Sequence, residues 1–189
     1  MRLRESLWLC GALCACAHLP QLREAADPLT AEEHYRLGAA YDAQGLLDDA
    51  ARQYRAAAAL NPADPETWVA LGNIAFGRGE LSRAEDDYLR ALKTAPANAG
   101  AQNNLAMAYL GQGKKLEEAE RLARAALSQD GPLQPYILDT LARIYERERR
   151  FPEARAAAVE AAAAATARGV TLLAPDTKEG QARYGRPEP

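Results

Sequence analysis

Residues 65–98 read PETWVALGNIAFGRGELSRAEDDYLRALKTAPAN, and this stretch decides how the rest of the chain folds. Trp68, Leu71, Gly72 and Ala75 stand at i, i+3, i+4 and i+7, which is one face of a helix. Asp64 followed by Pro65 supplies an N-cap and a proline at the first helical position. Gly79 interrupts the pattern, and a second helical run carries Ala84, Tyr88 and Ala91. A glycine at 72 removes bulk where a partner helix would cross. The alanines of the second run do the same from the other side, so two helix axes can approach closely.

The same spacing recurs on both sides of this stretch. Leu37, Leu71, Leu105 and Leu141 lie 34, 34 and 36 residues apart, and Ala50, Ala84, Ala119 and Ala154 lie 34, 35 and 35 apart. Tyr41, Tyr109 and Tyr145 each follow their leucine by four residues. All of these share one phase, which marks a repeat architecture. Thr30 and Glu33 form a T-x-x-E capping box at the start of the first copy.

These residues resemble the tetratricopeptide repeat (TPR) family. The first copy shows Leu37-Gly38, Tyr41, Gly45, Ala50, Tyr54, Ala57 and Pro62, and the second adds Trp68, Leu71-Gly72, Gly79, Ala84, Tyr88, Ala91 and Pro96. The third has Leu105-Ala106, Tyr109, Gly113, Ala119, Ala123 and Ala126, with one residue added at Lys114-Lys115. The fourth has Leu138, Leu141-Ala142, Tyr145, Ala154, Ala158 and Ala161, with Arg149 where glycine is usual. The resemblance implies an all-α chain: an α-solenoid of four TPR helix–turn–helix repeats, wound as a right-handed superhelix. The repeats fall at about 31–64, 65–98, 99–133 and 135–168, within residues 30–168. The alanine-rich run 154–167 is expected to cap the stack, with a helix-packing surface for a partner or a second copy as the alternative. Residues 169–189, rich in proline and glycine after Ala174, are expected to form an extension and a disordered tail.

The first 29 residues read as an address. Arg2 and Arg4 precede the uncharged apolar run Leu7 to Ala17, which is too short to span a bilayer as a helix of roughly 20 residues. Leu13-Cys14-Ala15-Cys16 resembles the bacterial lipoprotein box, which would make residues 1–15 a signal peptide and Cys16 the lipidated first residue of the mature chain. Two other readings stand beside it: ordinary cleavage at Ala15-Cys16-Ala17, giving a soluble periplasmic protein, and an uncleaved anchor. Residues 16–29 then read as a tether interrupted by Pro20 and Pro28. Ala17 after Cys16 resembles signals sorted to the outer membrane, so the expected location is the envelope of a Gram-negative-type bacterium, facing the periplasm.

Composition excludes several classes. Hydrophobic residues make up 48% but aromatics only 6%, so much of the apolar content is alanine, the strongest helix former. A formal net charge of −3 gives no broad positive field for nucleic acid. Cys10, Cys14 and Cys16 all lie near the start, so no disulfide framework or cysteine metal site is expected in the repeats. Ser82 and Ser128 have no suggestive histidine partner, His34 falls at a packing position, and no phosphate loop occurs. No enzyme activity, cofactor, metal or small-molecule substrate is expected. The acidic pairs Asp48-Asp49, Asp86-Asp87 and Glu117-Glu118 read as solvated outer faces, and Arg147-Glu148-Arg149-Arg150 as a solvated turn.

What remains is a groove for a protein or peptide. The resemblance implies that first helices line the concave side through positions opposite their packing stripe. Here those are Glu32, Tyr35, Ala39 and Asp42, then Glu66, Val69, Asn73 and Phe76. The third copy adds Asn103, Met107 and Leu110, and the fourth Tyr136, Asp139, Arg143 and Glu146. Asn73 and Asn103 are expected to bond a peptide backbone, and Tyr35, Val69, Phe76 and Met107 to hold apolar side chains. TPR proteins that clamp acidic tails carry lysines and arginines at such places. Only Arg143 is basic here, which disfavours that role. The expected function is a non-catalytic, lipid-anchored adaptor that helps assemble or position an envelope complex, with a soluble periplasmic binding module as the alternative.

Overall fold

The computed structural model describes residues 28–172. Cys16, the signal, the tether up to residue 27 and the tail from 173 lie outside the described residues. Eight helices follow one another: α1 (Ala31–Ala43), α2 (Leu47–Leu60), α3 (Pro65–Gly77), α4 (Leu81–Thr94), α5 (Ala99–Gln112), α6 (Leu116–Leu127), α7 (Gln134–Arg147) and α8 (Phe151–Arg168). No strand occurs among the described residues. Each odd helix packs on the even helix that follows it, and each even helix packs on the next odd one. The first helices also meet across repeats, α3 with α5 and α5 with α7, so they gather on the inner side of the stack. This is the α-solenoid expected from the repeat.

The local reasons are those read in the sequence. Thr30 accepts from the Glu33 N–H while the Glu33 carboxylate accepts from Thr30 N–H at 2.8 Å, closing both arms of a capping box. The Asp64 carboxylate accepts from the Thr67 N–H at 3.0 Å ahead of Pro65, and Asn98 accepts from the Ala101 N–H at 2.8 Å to start α5. Ala50, Ala84 and Ala119 have no exposed surface, because each lies where the helices of one repeat cross. A Cβ added at Gly38 would stand 2.8 Å from the Tyr54 ring, and one added at Gly72 would overlap the ring of Tyr88. Hydrogen at these two positions is what lets the tyrosines lie flat against the first helix.

Two expectations need correction. Arg150 is not a solvated turn residue. It binds Glu120 at 2.8 Å, Glu148 at 3.1 Å and Glu153 at 3.1 Å, and stacks over Tyr145 at 4.3 Å. Asp87 is not a solvated acid: it is buried at 4% exposure, with Arg90 at 3.2 Å. Burial pushes its carboxyl upward, against the pull of Arg90, Arg83 and Arg55.

Candidate binding groove

The inner side is built by α3, α5 and α7, and it is more tightly closed than the sequence suggests. Of α5, residues 101–103 and 105–110 are all buried, because four other helices surround it. Phe76 (6% exposed), Met107 (4%) and Leu110 (8%) therefore belong to the main apolar core rather than to an open groove. Asn103, expected on a wet surface, is buried at 6% exposure. The physical reason is the contact between neighbouring first helices, which takes up the face that a single repeat would leave free.

The other expected residues are distributed as follows. Tyr35 is half-buried against the Tyr54 ring, with centroids 5.5 Å apart, and shares the smaller core of the first two repeats with Ala39. Asp42 and Glu146 are exposed, Val69 is half-buried, and Glu32 is taken by Arg36 at 2.8 Å. Glu66 accepts from Asn98 Nδ2 at 2.9 Å, tying the second repeat to the cap of the third. Tyr136 is half-buried against the core that holds Phe76 and Met107. Arg143 reaches Met107, with Nη1 3.8 Å from Sδ. Burial raises the Asp139 carboxyl, a shift that Arg143 opposes and Glu146 reinforces. Phe76, Met107, Tyr136 and Arg143 are thus brought together, while Tyr35 and Asp42 belong to a separate patch at the other end.

The two asparagines behave differently. Asn73 is exposed, yet its Oδ1 accepts from the Tyr88 hydroxyl at 2.9 Å and from Asn104 Nδ2 at 2.8 Å. Its carbonyl is committed to holding α3, α4 and α5 together, which leaves its NH2 group to face outward. Asn103 Oδ1 is buried with no hydrogen-bond partner, and no other buried side-chain polar atom among the described residues stands in that state. A buried, unpaired acceptor costs roughly 1–3 kcal/mol. Asn104, which ties Asn73 to α5, was not expected from the sequence; its only signal was its place next to Asn103.

On the other side of the stack an open depression is lined by Trp68, Asp86, Asp87, Arg55, Arg83 and Arg90. Its charges are largely spent on one another: Arg90 lies over the Trp68 ring at 4.8 Å and binds Asp87, while Arg83 binds Glu80 at 3.2 Å. His34 is buried and donates Nδ1 to Gln53 Oε1 at 2.8 Å. No cluster of His, Cys, Asp or Glu with metal-holding geometry occurs among the described residues, nor any helix long and apolar enough to cross a membrane.

The family pattern described as "Tetratricopeptide repeat" matches residues 35–100, 69–135 and 103–170, together well over half of the chain. The chain belongs to the TPR family. Its repeats are therefore of a kind that binds protein partners. Among curated relatives it is 33% identical over 95 residues to human (Homo sapiens) protein O-mannosyl-transferase TMTC1, covering 50% of this chain and 11% of the relative. It is also 29% identical over 90 residues to mouse (Mus musculus) tetratricopeptide repeat protein 14, covering 48% of this chain and 12% of that protein. The chain thus spans about a tenth of the length of the relatives it matches. Among solved structures it is similar to MamA, with a TM-score of 0.67 at 24% identity over 76% of this chain and 83% of that one. A second MamA structure gives 0.62 at 22% identity, over 76% of this chain and 79% of that one. At those identities the likeness is one of fold.

Proposed function

We propose that this TPR chain is a non-catalytic adaptor that grips a peptide segment of a partner protein along α3, α5 and α7. The observation that carries the reading is the unpaired Asn103 Oδ1, one turn before Met107. A partner backbone N–H that enters between the first helices would satisfy the acceptor, while the half-buried Tyr136 offers apolar contact and Asp139 and Arg143 offer one charge of each sign. Phe76 and Met107 belong to the core. The NH2 group of Asn73 supplies the complementary donor further along. The reading extends to location: Leu13-Cys14-Ala15-Cys16 supports a lipid on Cys16 that anchors the adaptor in the envelope, facing the periplasm, where it helps assemble or position a protein complex. Ala15-Cys16-Ala17 favours the alternative, a soluble periplasmic module after ordinary cleavage.

Two experiments test these parts separately. Capture of membrane proteins by the full chain, followed by mass spectrometry, should lose its specific partner with Asn103→Leu and keep it with Asp86→Ala. The reverse result would move the binding surface to the other side of the stack. Cys16→Ser should abolish palmitate labelling and release the protein from the membrane fraction. A labelled membrane pool that survives the substitution would overturn Cys16 as the lipidated residue, and a wild-type chain that takes no label would favour the unlipidated readings.

A further inference from the structure

The seams that follow the second and third repeats are built alike, and the last helix departs from them. Leu47, Leu81, Leu116 and Phe151 are equivalent, each three residues before the invariant-phase alanine of its second helix. The three leucines are partly buried against the apolar cores. Leu81 lies against Gly111 of the following first helix, so closely that a Cβ there would be 3.1 Å from its Cδ1. Among the described residues Phe151 has no such cover and is 62% exposed, whereas Val159, 64% exposed, is equivalent to Leu89, which is itself exposed on α4.

The next position carries the charge. Glu85 and Glu120 are equivalent, one residue after Ala84 and Ala119. Each receives a cation from the residue that precedes the second helix of the following repeat: Lys115 to Glu85 at 2.8 Å, Arg150 to Glu120 at 2.8 Å. In α8 the equivalent residue is Arg155, with the opposite sign and no ion pair among the described residues. A first helix covering α4 or α6 brings its C-terminal end, with its partial negative charge, next to the glutamate, and the cation offsets that meeting. At α8 the surface itself is positive.

We propose that the α8 face bearing Phe151, Arg155, Val159 and Ala162 is a docking surface for a helix of a partner protein whose C-terminal turn carries a carboxylate. The helix would sit on α8 as α5 sits on α4 and α7 on α6, with its carboxylate on Arg155 where Lys115 and Arg150 meet glutamate. Phe151 supplies the apolar contact made elsewhere by leucine, and Ala162 lets the axes approach. A second copy stacked head to tail does not meet this need. Its first repeat offers Leu46 at the place of Lys115 and Arg150 and Gln44 at the place of Gln112, which bonds Glu85, while Asp42 of its α1 has the position of the core residue Leu110. An apolar, uncovered face also departs from the polar outer face that closes a repeat array.

The probes are two hydrocarbon-stapled helical peptides with the sequence of residues 99–117, one native and one carrying Lys114→Glu and Lys115→Glu. Fluorescence anisotropy with the full chain should show the acidic peptide binding at least about tenfold tighter than the native one. Arg155→Glu should reverse the preference, and Phe151→Asp should abolish both interactions. Asn103→Leu should change neither, which separates this surface from the groove. Phe151 and Arg155 are exposed, so circular dichroism should show all variants folded. Equal affinity of both peptides, indifference to Arg155→Glu, or concentration-dependent self-association abolished by Phe151→Asp would overturn the proposal.

Discussion

The seam between the second and third repeats and the seam between the third and fourth are built from the same parts and finished differently. In the first of these, polar groups on both sides of the stack are paired. Asn73 bonds Tyr88 and Asn104 on the inner side, and Glu85 bonds Lys115, Lys114 and Gln112 on the outer side at 2.8, 3.1 and 3.1 Å. In the second, the outer side is equally complete, with Glu120 bonded to Arg150 and to the Tyr145 hydroxyl at 2.8 and 3.0 Å. Its inner side leaves Asn103 Oδ1 unpaired. The comparison separates two uses of a polar group at a seam. Where the bonds close within the chain they hold the repeats in register; where one is left open, the proposed partner would close it.

The most damaging change to the complete seam is Gly72→Leu. Its side chain must displace the Tyr88 ring, and with it the hydroxyl that holds Asn73. The expected loss is about 3 kcal/mol in urea unfolding, at the upper end for overpacking. Gly79, with φ of 74° and open space around it, is the contrasting site: Gly79→Asn suits the left-handed turn and should cost under about 0.5 kcal/mol. Similar losses at both would mean that the crossing point of the second repeat is misplaced.

How much of this was legible in the sequence follows from what one repeat can encode. Gly72, the phased alanines, the Thr30–Glu33 box and the Asp64-Pro65 start concern contacts within one repeat, and their spacing shows directly in the chain. Asn103, Phe76 and Met107 are different. Their own repeat leaves them on a free face, and they are buried because α5 also meets α3 and α7. The inter-repeat tilt that does this has no marker in the residues of a single copy. The same holds for Asp87 and Glu85, both in an acid-rich stretch that reads as a solvated face. Both are buried, Asp87 beside Arg90 of its own helix and Glu85 against Gln112 and Lys115 of the third repeat.

Glu85 gives the next largest effect. Burial alone would raise its carboxyl, but hydrogen bonds from Lys115, Gln112 and Lys114 outweigh burial and hold it at about 2 against an ordinary 4.5. Because the folded value is the lower one, the stabilisation is present above about pH 4.5 and is lost as pH falls toward about 2. Glu85→Gln should remove on the order of 2 kcal/mol at pH 7 and flatten the acid limb of the stability profile. An acid limb unchanged by Glu85→Gln would place the seam's pH sensitivity elsewhere.

A smaller pair of expected changes in stability tests the central contrast most directly. Leucine matches the branching of asparagine without its polar atoms, so Asn103→Leu removes an unpaired acceptor and should stabilise the chain by about 1 kcal/mol. At Asn73 the same substitution strands the Tyr88 hydroxyl and the Asn104 amide, and should cost about 1 kcal/mol. The measurement is the urea midpoint of Asn103→Leu and Asn73→Leu beside the wild type, with partner capture assayed on the same samples. The account predicts a higher midpoint with capture lost for Asn103→Leu, and a lower midpoint for Asn73→Leu. A destabilised Asn103→Leu protein that still captures its partner would contradict it, because Asn103 would then be an ordinary part of the architecture.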